Sequence, residues 1–243
     1  PERRVRDRGL RSHHGDLAGR RHLGLAHTPR APRPETPAVK PTYWDDAKAA
    51  LAKRDPVLRK LVRAYPGEIL KTRGDAFHTL ARSIVGQQIS VRAADAVWAR
   101  FAALAVKVTP EAVLELAEPE LRGVGLSRMK VGYLHDLARH FEAGEVKPRR
   151  WARMDDEAII EELTRVRGIG RWSAEMFLIF HLLRPDVLPV GDIGLQRAME
   201  KHYKGGDEMT KDDMREVAEC WRPWASVATW YLWRSLDPVP VEY

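Results

Sequence analysis

The chain has 243 residues, of which 44% are hydrophobic and 31% charged, and this composition is typical of a globular protein with one large or two small domains. No apolar run reaches about 18 residues, so we expect no transmembrane helix and no membrane partner, and the Arg-rich start lacks the apolar segment of a secretory signal. The single cysteine, Cys220, excludes an internal disulfide and an iron–sulfur cluster held by four cysteines, and favours a cytoplasmic protein.

The net charge of +7 is concentrated at one end of the chain. Residues 1–42 carry ten Arg/Lys and four acidic residues, or +6, which leaves +1 for residues 43–243. The same segment holds six of the sixteen prolines and few large apolar residues. This pattern predicts a disordered or loosely attached basic arm. Any DNA binding by the rest of the chain must therefore depend on individually placed groups.

From residue 43 onward the sequence pattern is helical nearly throughout. Capping residues followed by apolar residues spaced three and four apart predict about ten short helices and no strands. The expected helices begin at Thr42 with Asp45, Asp55-Pro56, Asp75, Ser90, Ser127, Asp155 or Asp156, residue 171, residue 193, Thr210 with Asp213, and residue 223. We therefore predict an all-α domain over residues 43–243, with two helical lobes and a cleft between them.

Two of these helices carry a clear apolar stripe. The stripe after Asp75 comprises Phe77, Leu80, Ala81, Ile84 and Val85. The stripe after Ser90 comprises Val91, Ala94, Trp98 and Phe101. We expect both stripes to face the interior.

The segment EELTRVRGIGRWSAEM predicts a helix, a glycine turn and a second helix within residues 156–183. Gly168 and Gly170 allow positive φ and carry no side chain, so another backbone can approach the turn. The N-terminus of the second helix offers free N–H groups to an anion. With Arg171 directly behind it, this turn favours phosphate binding by Gly168, Ile169, Gly170 and Arg171, although a plain interhelical turn has the same glycines.

Asp192 ends a Pro-containing loop after the second hairpin helix. We expect this carboxylate to act on the nucleotide beside the hairpin. Asp192 is also a good N-cap for the following helix, and the two roles are compatible.

Four stretches in chain order carry a resemblance to a known family. They are LARSIVGQQISVRAA, LRGVGLSRMKVGYLHDLA, LTRVRGIGRWSAEMF with LPVGD, and CWRPWASVATWYLW. Together they resemble the helix-hairpin-helix (HhH-GPD) base-excision DNA glycosylases, in the branch of the bacterial 3-methyladenine DNA glycosylases II. The resemblance implies an enzyme that flips and excises alkylated purines, such as 3-methyladenine and 7-methylguanine, from duplex DNA. It also implies a monomer that acts at the nucleoid of a bacterium.

Two departures from the superfamily pattern refine this expectation. Bifunctional members carry a lysine nucleophile two residues after the second hairpin glycine, and this chain has Trp172 there. The resemblance therefore implies a monofunctional enzyme without lyase activity. The strand-rich N-terminal domain of longer members has no counterpart in residues 1–42.

The resemblance also assigns roles to further residues. It makes Asp192 the catalytic carboxylate, which stabilises the positive charge that develops on the sugar as the N-glycosidic bond breaks, or activates the attacking water. It makes Gln88 the residue that fills the gap left by the flipped base, and Gln87 its support. It maps the base pocket to Trp172 and Trp233, which Tyr43, Trp44 and Phe77 are candidates to complete. It implies no required cofactor and no iron–sulfur cluster, but a structural Na⁺ or K⁺ on the carbonyls of Thr164, Val166 and Ile169.

Three alternatives remain open at the level of the sequence. The first alternative is a glycosylase of the same type that acts on hypoxanthine, ethenoadenine or uracil, which requires a pocket with more hydrogen-bond donors and acceptors. A non-catalytic DNA-binding module has the same hairpin but no need for Asp192. A helical protein-interaction domain has a purely structural glycine turn, and salt-dependent DNA binding would argue against it.

Overall fold

The computed structural model describes residues 40–67, 69–70 and 75–236. This part of the chain contains no strand, so the predicted all-α class is confirmed. Its helices are α1 Trp44–Arg54, α2 Pro56–Ala64, α3 Ala76–Gly86, α4 Val91–Ala105, α5 Pro110–Glu115, α6 Glu118–Gly123, α7 Arg128–Glu142, α8 Pro148–Trp151, α9 Asp156–Thr164, α10 Arg171–Phe180, α11 Ile193–Tyr203, α12 Lys211–Ala218 and α13 Ala225–Arg234, with a 3-10 turn at Glu219–Trp221.

Short polar side chains explain where most helices begin. Eight helices start at a residue whose side chain accepts a hydrogen bond from the first-turn backbone: Asp55, Asp75, Ser90, Thr109, Ser127, Asp155, Asp192 and Thr210. The expected Thr42 cap is wrong, because α1 begins after Tyr43 and has no side-chain cap. The sequence pattern also missed α5, α6 and α8, which have only four to six residues.

The helices form two packed groups around one continuous core. In the first, α3 packs on α4, α7 and α10, α7 also packs on α5 and α6, and α9 packs on α10. In the second, α13 packs on α1, α2 and α11.

Val91 departs from its predicted inward position, since its side chain is 67% exposed and lines a cleft beside α3.

A buried carboxylate fixes the far end of α11, the helix that begins at Asp192. Asp55 is 3% exposed and accepts hydrogen bonds from Val57 N (2.8 Å), Tyr203 Oη (2.7 Å) and Trp221 Nε1 (2.9 Å). These bonds tie the start of α2, the end of α11 and the 3-10 turn together. Because both oxygens of Asp55 accept hydrogen bonds, the cost of burying this carboxylate is offset.

None of the helices in the described ranges is long and apolar enough to cross a membrane. The predicted basic arm of residues 1–42 lies outside those ranges, apart from its last three residues. Residues 237–243 at the other end of the predicted domain also lie outside them.

Candidate active site

A largely apolar cleft of about 520 Å³ lies between α3 and α10. Its other borders are the 87–90 turn and the first residues of α4. On the α10 side, Met176, Phe177 and Phe180 line it at helical spacings, and Trp172 stands at one end. Its volume falls in the range of small-molecule sites in proteins.

Asp192 is held by three hydrogen-bond donors. Its Oδ1 accepts from Leu195 N at 2.6 Å, as a helix cap does, and from Trp233 Nε1 at 2.8 Å. Its Oδ2 accepts from Trp172 Nε1 at 2.9 Å. The three donors fix the orientation of the carboxylate.

The two tryptophans that hold Asp192 come from opposite sides. Trp172 lies in the first turn of α10 and is 39% exposed. Trp233 lies near the end of α13 and is half-buried, with its ring stacked on Phe180 at 5.7 Å between centroids. The structure thus brings Asp192, Trp172 and Trp233 together beside the cleft; Trp172 lines the cleft, whereas Asp192 and Trp233 are not among its lining residues.

The hairpin turn joins α9 to α10, and the packing around it explains why one of its residues is glycine. Gly168 has φ +87°, and a Cβ there would lie 2.2 Å from Cδ2 of Tyr133 on α7. Only glycine fits such a position. Gly170 differs from the expectation, because its φ of −90° is ordinary and a Cβ there would point into open space.

The guanidinium of Arg171 is engaged within the protein, and its role as a phosphate ligand stays a prediction. Arg171 donates to both carboxylate oxygens of Glu157 on α9, and to Glu175 at 3.0 Å. Glu157 holds the pKa of Arg171 above its usual range. Glu175 is buried, and burial raises its pKa. Arg171 therefore links α9 to α10.

Asp136 on α7 fixes Arg167, the residue that precedes Gly168 in the hairpin turn. Its Oδ2 accepts from Arg167 N at 2.9 Å, and its Oδ1 pairs with the Arg167 and Arg139 side chains. Burial works to raise the pKa of this carboxyl, but these hydrogen bonds outweigh burial and hold the pKa below its usual value.

A carboxyl with a lowered pKa stabilises the fold above its unfolded pKa of about 3.9, and this contribution is lost as the pH falls below that value. We therefore expect Asp136→Asn to lower the free energy of unfolding at neutral pH by about 1 kcal/mol. The difference from wild type should shrink as the pH falls below about 4. Urea unfolding at several pH values measures both, and a difference that stays constant on acidification would contradict the role of the charge.

The turn that carries the two glutamines touches the hairpin. Gln87 Nε2 donates to the Gly168 carbonyl at 2.8 Å. Gln88 follows at φ +58° and is exposed, next to Ile89, which is 40% exposed. Both glutamines line the cleft entrance. Ile89 is an apolar side chain on this turn that sequence reasoning missed, because its exposure depends on the turn geometry.

Three candidate pocket residues lie elsewhere. Trp44 is completely buried against Trp230, and Phe77 is 4% exposed against Phe141. Tyr43 Oη donates to the Leu183 carbonyl at 2.6 Å, and its ring is not among those lining the cleft. These rings therefore stabilise the core rather than offer a face to a base. Phe177 and Phe180 line the cleft on α10, and their spacing of three was a signal that the sequence contained. Phe177 is itself only 4% exposed and stacks on His181, and Phe180 stacks on Trp233.

The carbonyls proposed for a cation lie in the last turn of α9 and in the hairpin. The Val166 carbonyl accepts from Ile169 N at 3.1 Å and keeps a second lone pair. Among the described residues, no cluster of three or more His, Cys, Asp or Glu has the arrangement of a metal site. A monovalent ion at the hairpin would therefore depend on backbone oxygens.

Known proteins share this sequence and fold. A family model described as HhH-GPD superfamily base excision DNA repair protein matches residues 81–224. DNA-3-methyladenine glycosylase 1 of Schizosaccharomyces pombe is 31% identical over 182 residues, covering 73% of this chain and 80% of that protein. The Bacillus subtilis protein YfjP is 38% identical over 128 residues, but the match covers only 45% of its length and 53% of this chain.

Solved structures agree with this relation. A Bacillus halodurans DNA-3-methyladenine glycosidase superposes with a TM-score of 0.72 at 34% identity, covering 78% of this chain and 88% of that one. The Schizosaccharomyces pombe enzyme Mag1, solved in complex with abasic DNA, gives 0.67 at 29% identity, covering 78% of this chain and 96% of that one. The resemblance seen in the sequence is confirmed, and the chain belongs to the HhH-GPD superfamily of base excision DNA repair proteins.

Proposed function

We propose that this protein is a monofunctional DNA glycosylase that flips alkylated purines, such as 3-methyladenine and 7-methylguanine, out of duplex DNA and excises them. The observation that carries the proposal is the carboxylate of Asp192, oriented by two indole N–H groups, one of which belongs to Trp172 in the lining of an aromatic cleft. The names of the relatives point to the same class of substrate.

In this proposal Asp192 acts on the sugar. The bond between the anomeric carbon and the purine nitrogen breaks, and its electron pair leaves with the base. The sugar becomes oxocarbenium-like, and the fixed carboxylate stabilises that charge. Water then adds to the anomeric carbon and loses a proton to Asp192 or to solvent, which leaves an abasic site in an intact strand.

The cleft suits the flipped base. Phe177, Phe180 and Trp172 offer aromatic surface, and an alkylated purine is cationic, so contact with such rings is worth on the order of 0.5–2 kcal/mol. A cationic base is also a good leaving group. The cleft therefore needs few hydrogen bonds to the base edge, which favours alkylated purines over neutral bases such as hypoxanthine or uracil.

The hairpin and the glutamine turn supply the DNA contacts. The exposed backbone around Gly170 at the start of α10 binds a phosphate, and Gln88 enters the space that the flipped nucleotide leaves. The bond from Gln87 to the Gly168 carbonyl couples these two contacts. Phosphate binding of this kind positions the enzyme without reading sequence.

No lysine occupies the position that the lyase reaction uses. Trp172 stands there, and its N–H is bonded to Asp192. An indole cannot form a Schiff base with the sugar, so we propose hydrolysis without strand cleavage. A Na⁺ or K⁺ on the carbonyls of Thr164, Val166 and Ile169 would link the hairpin to a phosphate. We propose that the enzyme acts as a monomer, in the cytoplasm at the nucleoid.

A panel of lesions tests the substrate class. Duplexes with a single 7-methylguanine, 3-methyladenine, hypoxanthine, ethenoadenine or uracil are compared under single turnover at saturating protein. We expect the two cationic purines to be released at least about tenfold faster than the neutral bases, relative to their spontaneous loss. Equal or faster release of a neutral base would contradict the proposed preference and favour the alternative lesions.

A further inference from the structure

The two oxygens of the Asp192 carboxylate have different surroundings. Oδ1 accepts from Leu195 N and Trp233 Nε1, and a Cβ at Gly194 would lie 3.1 Å from it. Backbone and a stacked ring therefore enclose Oδ1. Oδ2 accepts from Trp172 Nε1, and Trp172 is the partly exposed ring at the end of the cleft.

We infer that Oδ2 is the oxygen that meets the developing positive charge, and that Trp172 is a positioning residue that acts through Asp192. This inference rests on the proposed function. With Oδ1 enclosed, only Oδ2 is left to approach the sugar. Its N–H donor sets the rotation of the carboxylate about the Cβ–Cγ bond.

The Trp172 ring is held by its edge. Its Nε1 lies 2.9 Å from Oδ2, so a change at this ring also changes how the carboxylate is held. Trp172 shares the cleft lining with Phe180, which stacks on Trp233, the other indole bonded to Asp192.

The test separates the carboxylate from the stacking surface by using DNA that has no base at the lesion. One duplex carries a neutral tetrahydrofuran abasic site, and the other carries a pyrrolidine whose protonated amine resembles the cationic transition state. The ratio of the two dissociation constants reports how well the protein stabilises positive charge at the sugar. Neither duplex has a base to stack.

Trp172→Phe keeps an aromatic ring and removes the N–H. We expect it to lower the preference for the cationic duplex by about fivefold to tenfold, because one hydrogen bond to a charged group is lost. Its affinity for the neutral duplex should stay within about twofold. Trp224→Phe is the matched control, since Trp224 stacks on Tyr43 and is not among the residues that line the cleft. Trp172→Leu, which also removes the ring, should show the same loss of preference as Trp172→Phe.

The outcomes are distinct. An unchanged preference in Trp172→Phe and Trp172→Leu, with slower base release, would overturn the inference and assign Trp172 to stacking. Asp192→Asn serves as the second reference and should abolish most of the preference. If Asp192→Asn keeps the full preference, the proposed role of Asp192 fails, and the inference about Trp172 fails with it for that separate reason.

Discussion

Replacing Asp192 with Asn is expected to slow single-turnover base release from methylated duplex DNA by about 100-fold or more, which corresponds to roughly 2.7 kcal/mol of transition-state stabilisation. The loss follows from removing a negative charge that three donors fix beside the sugar. The measurement is the rate at saturating protein, which separates chemistry from binding.

The substitution keeps the capping role of the residue, although the amide nitrogen that replaces Oδ2 cannot accept from Trp172 Nε1. Asn caps helices about as well as Asp, so the bond from Leu195 N to the side chain can persist. We therefore expect the melting temperature to change little. Asp155→Asn is the matched control, because Asp155 caps α9 in the same way, with Ala158 N at 2.8 Å, at the end of α9 away from the hairpin. Equal rates for Asp192→Asn and Asp155→Asn would reduce Asp192 to a helix cap.

Gly168→Ala should have the largest effect on the fold near the site. A methyl group there would overlap the Tyr133 ring, at 2.2 Å from Cδ2, and alanine also disfavours φ +87°. We expect the free energy of unfolding to fall by on the order of 2–4 kcal/mol, since overpacking and backbone strain combine. DNA affinity should fall as well, because Gln87 bonds to the carbonyl of the same residue.

Gly170→Ala provides the contrast. Its φ is −90° and nothing lies within 4 Å of the added methyl group, so stability should change by less than about 0.5 kcal/mol. If a phosphate approaches this backbone, the methyl group will still weaken DNA binding. Urea unfolding together with DNA titration compares the two variants. A stable Gly170→Ala protein with full DNA affinity would mean that the phosphate does not lie at Gly170.

The sequence predicted the parts that depend on local chemistry. Asp192 was recognised both as a helix cap and as the candidate acid, and most helix starts follow from capping residues. The positions of Gln87 and Gln88 on a turn also follow from the pattern. The indole of Trp233, however, reaches Asp192 across 41 residues, and only the packing of α13 brings it there.

The differences have physical causes that a linear pattern does not contain. The sequence did not show that the Arg171 guanidinium pairs with Glu157, which lies 14 residues away in the chain and next to it in the fold. Trp44 is an aromatic with a polar N–H, yet it is fully buried because α1 packs on α13. Val91 fits the apolar stripe of α4, but it is the first residue of that helix, where the stripe borders the cleft.

The measurement that tests the proposed glycosylase activity most directly is release of 3-methyladenine from methylated duplex DNA by the wild-type protein, with strand integrity followed in the same samples. We predict that the free base appears in proportion to protein and that every strand stays intact until alkali or heat cuts the abasic site. Salt-sensitive DNA binding without base release would contradict it and leave a binding module, and strand cleavage without alkali would contradict the monofunctional chemistry.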